Sequence, residues 1–157
     1  MKLLSLGCVM LVVTSLVTLG CRQRAVPANQ RFQVLFDGYQ LILVTELRPD
    51  KAVDEVDVSK LQGSLPLEPR LVPGRIYVFR KVSHVSTEDM AIKIFPERLV
   101  KIGARVTKAP RSPEHLIYLM IGGPLFNIEF ELEGHRGKIF NYSTSDYRED
   151  RLVFAYR

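Results

Sequence analysis

The residues Leu125–Leu132 set the tightest constraint on the fold. Phe126, Ile128, Phe130 and Leu132 alternate with Asn127, Glu129 and Glu131. Successive side chains of a strand point to opposite faces, so this period of two gathers the apolar groups on one face and the polar groups on the other. Such a strand belongs in an antiparallel sheet with one face buried and one wet. Gly134 to Gly137 predicts the next turn. Lys138–Ser143 then pairs back, with Phe140 and Tyr142 on one face and Ile139 and Asn141 on the other.

The same reading extends along the chain. Arg31–Phe36 alternates, with Phe32, Val34 and Phe36 on one face. Asp37-Gly38 is a turn signal, and Tyr39–Leu47 is apolar and β-branched. Together they predict a β-hairpin. Arg75–Val82, Ala104–Ala109 and Leu152–Tyr156 read as further strands, and His115–Ile121 (HLIYLMI) as one of buried type. Gly122-Gly123-Pro124 reads as a turn, Thr144–Arg151 as a polar loop. Residues 48–74 carry four prolines and form a long excursion, with one short helical turn at Val56–Leu61.

One helix is expected. Ser86 and Asp89 have capping-box spacing, and Ile92, Phe95, Leu99 and Ile102 follow as an apolar stripe. Pro96 either kinks this helix or opens a shorter one, and Gly103 fits the position just past its end. The expected architecture is α+β: a curved antiparallel β-sheet with one amphipathic helix packed on one face, forming a single domain over residues 31–157.

The first thirty residues follow another logic. Met1-Lys2 is a short positive start, and Leu3 to Leu19 carries no charge. Gly20-Cys21 and the polar Arg22-Gln23-Arg24 come next. This is the plan of a secretory leader. Thr18-Leu19-Gly20-Cys21 resembles the bacterial lipobox, in which Leu, a small residue and Gly or Ala precede an invariant Cys. Gly20 and Cys21 match, whereas Thr18 stands where an aliphatic residue is usual. The resemblance covers this N-terminal segment alone. It implies cleavage between Gly20 and Cys21, a diacylglycerol on the Cys21 sulfur, and often a third acyl chain, such as palmitate, on the new amino group. On that reading residues 1–20 are the signal peptide and 21–30 a lipidated tether. Two or three acyl chains hold a protein firmly at about 0.8 kcal/mol per buried methylene. An uncleaved anchor and soluble export, cut near Val26-Pro27-Ala28, are the alternatives. From Ser86 onward, a helix ending Gly103-Ala104-Arg105-Val106 before a Glu-rich hairpin resembles that of various small predicted lipoproteins, which names no function.

Cys8 and Cys21 are the only cysteines, so the body beyond residue 21 can form no internal disulfide and no thiolate metal site. His84, His115 and His135 are scattered, with no partner at metal-ligand spacing. No metal or cofactor is expected. Glu129, Glu131 and Glu133 read as a solvated face, since acid–base work needs two acids in different environments. The serines have no recognisable base beside them, and no Gly-x-Ser-x-Gly elbow occurs. No residue is assigned to catalysis or to ligand binding. Tyr142 and Tyr147, beside a polar loop, are the aromatics to inspect at a pocket.

The net charge is +5, and removing residues 1–20 takes away only Lys2, leaving about +4. A mild positive balance favours anionic partners. No Lys/Arg run points to nucleic acid. The expectation is an envelope lipoprotein on the cell membrane or outer membrane, its domain outside the cytoplasm, with a binding or assembly role. Its partners would be the membrane, through the lipid, and an envelope protein. The alternative is a small envelope hydrolase with a site built from dispersed residues.

Overall fold

The computed structural model describes residues 26–49, 51, 58–118, 124–143 and 150–157. The leader, Gly20, Cys21, Gly122-Gly123 and Tyr147 lie outside them. Among the described residues no helix is long and apolar enough to cross a membrane.

The fold is mostly sheet. Six strands form one open antiparallel sheet: β1 (Tyr39–Glu46), β2 (Arg75–Lys81), β3 (Arg105–Lys108), β6 (Asn127–Leu132), β7 (His135–Ser143) and β8 (Asp150–Tyr156). Their spatial order is β1-β2-β8-β7-β6-β3. The last strand in the chain therefore sits in the middle. Two-residue strands β4 (Ile117–Tyr118) and β5 (Pro124–Leu125) make a separate small hairpin.

The alternation in β6 holds residue by residue. Ile128, Phe130 and Leu132 are buried, and Asn127, Glu129 and Glu131 are half-buried between them. β6 begins after a break at Phe126, because Pro124-Leu125 pairs with β4 instead. The turn into β7 is tighter than expected. It consists of Glu133 (φ 53°) and Gly134 (φ 82°), and residues 135–137 already belong to β7. Two consecutive positive φ values twist a two-residue hairpin to match its strands.

Residues 31–36 are not a strand. They belong to α1 (Ala28–Phe36), so the expected hairpin with β1 does not form, and β1 pairs with β2. Phe32, Leu35 and Phe36 are the buried residues of α1, a spacing of three and four. Over six residues, the Phe32/Val34/Phe36 alternation and this helical spacing are both satisfied; packing selects the helix, because it brings Leu35 inside as well. Asp37-Gly38 does turn the chain, and Gly38 takes φ 86°, with Ser83 packed closely beside it. Val26 already donates its N–H to Lys101 O, so the stretch read as a tether carries the start of the domain.

The expected amphipathic helix is composite. Ser86 Oγ accepts from Asp89 N at the start, as the capping box predicts. An α-turn, α2 (Thr87–Asp89), leads into a π-helical stretch, Met90–Ile94, and then α3 (Phe95–Lys101). Phe95 N–H reaches back five residues to Met90 O. Pro96 explains the widened turn. It offers no N–H, and its ring would crowd the carbonyl four residues back in a regular helix. Two helical stretches, not one, thus cover the sheet. Phe32, Leu35 and Phe36 join Met90, Phe95, Leu99 and Ile102 in one core with Tyr77, Phe79, Ile139 and Phe154.

The opposite face of the sheet is unevenly covered. Ile76, Val78, Val153 and Ala155 form a second cluster with Leu47, against which Val58 and Leu61 pack. Both belong to the excursion between β1 and β2. Its described helical turn is a 3-10 turn, Val58–Lys60. The central strands are therefore apolar on both faces, while β6 is buried on one.

The expected buried strand at 115–121 is not what its described part forms. Pro113–His115 is a 3-10 turn, and in β4 Ile117 and Tyr118 are 65% and 56% exposed. Only Leu116 is buried there. Apolar content alone mistook a surface hairpin for a core strand, since it carries no information about which side is covered.

Candidate functional site

A large cavity among the described residues opens where β6 begins. It is a cleft of about 740 Å³ between the start of β6, the middle of β7 and the segment that follows β3. Ala109, Pro110, Ile117, Leu125, Phe126 and Phe140 give it an apolar wall. Lys108, Arg111, His115 and Lys138 line it with basic groups, and Asn127 and Asn141 add two amides. Among the described residues that line it there is no carboxylate.

Local structure positions each group. Asn127 and Phe140 are cross-strand partners, as are Glu129 and Lys138. Lys138 and Phe140 lie two apart on one face of β7, with Lys138 Nζ 5.5 Å from the Phe140 ring centre. Lys108 Nζ stands 3.5 Å from Glu129 Oε1, which also accepts from Asn127 Nδ2 at 3.3 Å. Glu129, just outside the lining, thus has Lys108 and its cross-strand partner Lys138 beside it. The nearby Glu114 accepts from Ser112 Oγ at 2.8 Å. Asn127 Oδ1 is buried and accepts no hydrogen bond among the described residues. Asn141, 7% exposed, accepts from Phe126 N at 2.8 Å and fixes the chain where it breaks between β5 and β6.

His115 is held by its own turn. Its Nδ1 accepts the Arg111 N–H at 3.2 Å. With Nδ1 so engaged, Nε2 is the nitrogen left to donate to a ligand.

On the far side of Asn141 lies a void of about 10 Å³, room for about one water. Tyr39, Lys81, Thr87 and Arg151 surround it. Thr87 Oγ1 accepts from Lys81 Nζ at 3.4 Å.

The residues singled out in the sequence are dispersed. His84 and His135 are exposed, on a loop and at the start of β7; only His115 reaches the cleft. Among the described residues no three His, Cys, Asp or Glu side chains gather as a metal would require. The three glutamates each face an arginine or lysine: Glu129 Lys108, Glu131 Arg105 at 2.5 Å, and Glu133 Arg31 at 2.6 Å. The hydrogen bond and charge of Arg105 hold the Glu131 carboxyl below its usual range. Tyr142 packs against the second cluster and is not among the residues that line the cleft, and burial raises its phenol above the ordinary value against the pull of Arg151. Phe126 and Phe140 are the late aromatics that do reach it. The basic groups were not singled out in the sequence, because Lys108, Arg111 and Lys138 form no run and converge only through the pairing of β3, β6 and β7. Asn141 did leave a signal: it shares the core-facing row of β7 with Ile139.

Comparison with family models, with curated proteins and with solved structures finds no match to this chain.

Proposed function

We propose that this chain is an envelope lipoprotein: a small domain, tethered by lipid on Cys21, that binds a ligand in the cleft beside β6 without transforming it. The lining of the cleft carries the binding half of this reading. Cations and amides stand over an apolar wall, an arrangement that holds and orients a ligand. Hydrolysis would call on a base, and the cleft's one imidazole spends its acceptor nitrogen on a backbone N–H.

Gly20-Cys21 at the end of an uncharged run supports the tether. Val26, five residues beyond Cys21, already packs on the domain, and five extended residues span at most about 18 Å. A lipid on Cys21 would therefore hold the domain within reach of the bilayer surface. Arg22 and Arg24, in the intervening stretch, would favour anionic headgroups.

The experiment is metabolic labelling with a fatty-acid probe. The parent chain is expected to take up label and to be processed. Cys21→Ala is expected to take up none and to remain a precursor. Equal labelling of the two would overturn the tether.

A further inference from the structure

We infer that the ligand of the cleft is an anionic amphiphile: a phosphate or carboxylate head with a hydroxyl or amide N–H nearby, joined to an alkyl body. This rests on the cleft being a binding site, and three of its features specify the chemistry.

The first is charge. Lys108, Arg111 and Lys138 line the cleft and, among the described residues, Glu129 and Glu114 are the carboxylates beside it, so cations outnumber acids and an anion is favoured. Arg111 can grip a phosphate or carboxylate through two parallel N–H bonds. His115 adds a donor.

The second is size and polarity. A bare phosphate or small acid would leave most of 740 Å³ unused. Clefts of about 300–1,000 Å³ suit larger molecules, most of whose surface they cover. Leu125, Phe126 and Phe140 supply apolar surface for an alkyl body. Ile117, 65% exposed on the small hairpin, adds to it.

The third is the orphan acceptor. Asn127 Oδ1 is out of solvent and without a donor among the described residues. A buried unpaired acceptor is unfavourable, and a ligand hydroxyl or amide N–H would relieve it.

Two sources offer this chemistry: the headgroup and upper chain of an anionic membrane lipid, and a free alkyl acid or phosphate. The test uses the full chain in nanodiscs of phosphatidylcholine, with backbone amide resonances as readout. Octyl phosphate should saturably shift residues 108–111, 126–127 and 138–141. Octyl phosphate should bind about ten- to twentyfold tighter than hexyl phosphate, because two more methylenes are buried. Inorganic phosphate, octanol and octyltrimethylammonium should each bind at least tenfold more weakly than octyl phosphate. Arg111→Glu, a change on an exposed loop, should weaken octyl phosphate at least tenfold while leaving resonances of β2 and β8 unmoved. Discs doped with phosphatidylglycerol separate the sources. The same shifts without added ligand identify the membrane lipid; their absence, with octyl phosphate still bound, identifies a free ligand.

Equal binding of inorganic phosphate would reduce the site to an anion hole and overturn the inference, as would equal binding of the ammonium probe. So would silence towards every probe, or indifference to Arg111→Glu. None of these results touches labelling at Cys21, so failure of the ligand class and failure of the tether are read separately.

Discussion

The Phe130 ring closes on Gly137, its partner in the β6–β7 ladder. A methyl group at Gly137 would come within 2.0 Å of the Phe130 ring edge. That ring cannot step aside, for it stacks on Phe154 at 5.5 Å and on Tyr156 at 6.3 Å. Gly137→Ala should therefore destabilise the domain by about 2–3 kcal/mol, as overpacked cores do. Trimming the obstruction with Phe130→Leu in the same chain should return part of that loss in urea unfolding; no recovery would show that the clash is not the cause. Tyr77 offers a second test. Its hydroxyl donates to Arg70 O at 2.7 Å and accepts from Val72 N at 2.8 Å, and burial raises its phenol above the ordinary value of 10.0. The folded state thus keeps the proton longer than the unfolded chain. Its contribution is complete below about pH 10 and fades as pH rises through the raised folded value. Tyr77→Phe should lower stability at neutral pH by about 1 kcal/mol and flatten the loss above pH 10. An unchanged alkaline slope would assign that loss to other groups.

Among elements, β6 and β7 were legible in the sequence because a hairpin with one wet face writes its burial as alternation, whereas β8, buried on both faces, was legible as a short apolar run. The capping box was legible for a similar reason, since Ser86 and Asp89 meet within one turn. α1 was not. Six residues satisfy two periods at once, and the choice lies with Phe79, Phe154 and Phe95, which stand far off in sequence and supply the surface that α1 covers. The cleft shares that obscurity, for its cations come from β3, the segment after it, and β7. Arg98 shows how α1 is held once formed. From α3 it donates to Leu35 O at 3.2 Å and Asp37 O at 2.7 Å, closing carbonyls that end the helix. Arg98→Met keeps the stem and removes the clamp, and should cost about 1.5–3 kcal/mol. The loss should be accompanied by faster amide exchange in residues 33–36 than in β2. Uniform acceleration through the molecule would argue against a local clamp.

For the whole molecule, the uneven covering of the sheet predicts a gradient of stability. β2 and β8 are enclosed on both faces, β6 on one, and β3 is a four-residue edge. Native-state exchange should find the slowest amides in residues 76–79 and 152–155, and much faster ones in 105–108. Comparable protection in β3 would contradict the gradient. The position of β8 has a consequence for timing. It is the seam between a hairpin made early, β1–β2, and one made late, β6–β7. However well each hairpin is drafted, neither can join the other until residues 150–156 arrive. A chain threaded through a translocation pore from its N-terminus would thus stay pliant for almost the whole passage, and lock only after its last strand had crossed.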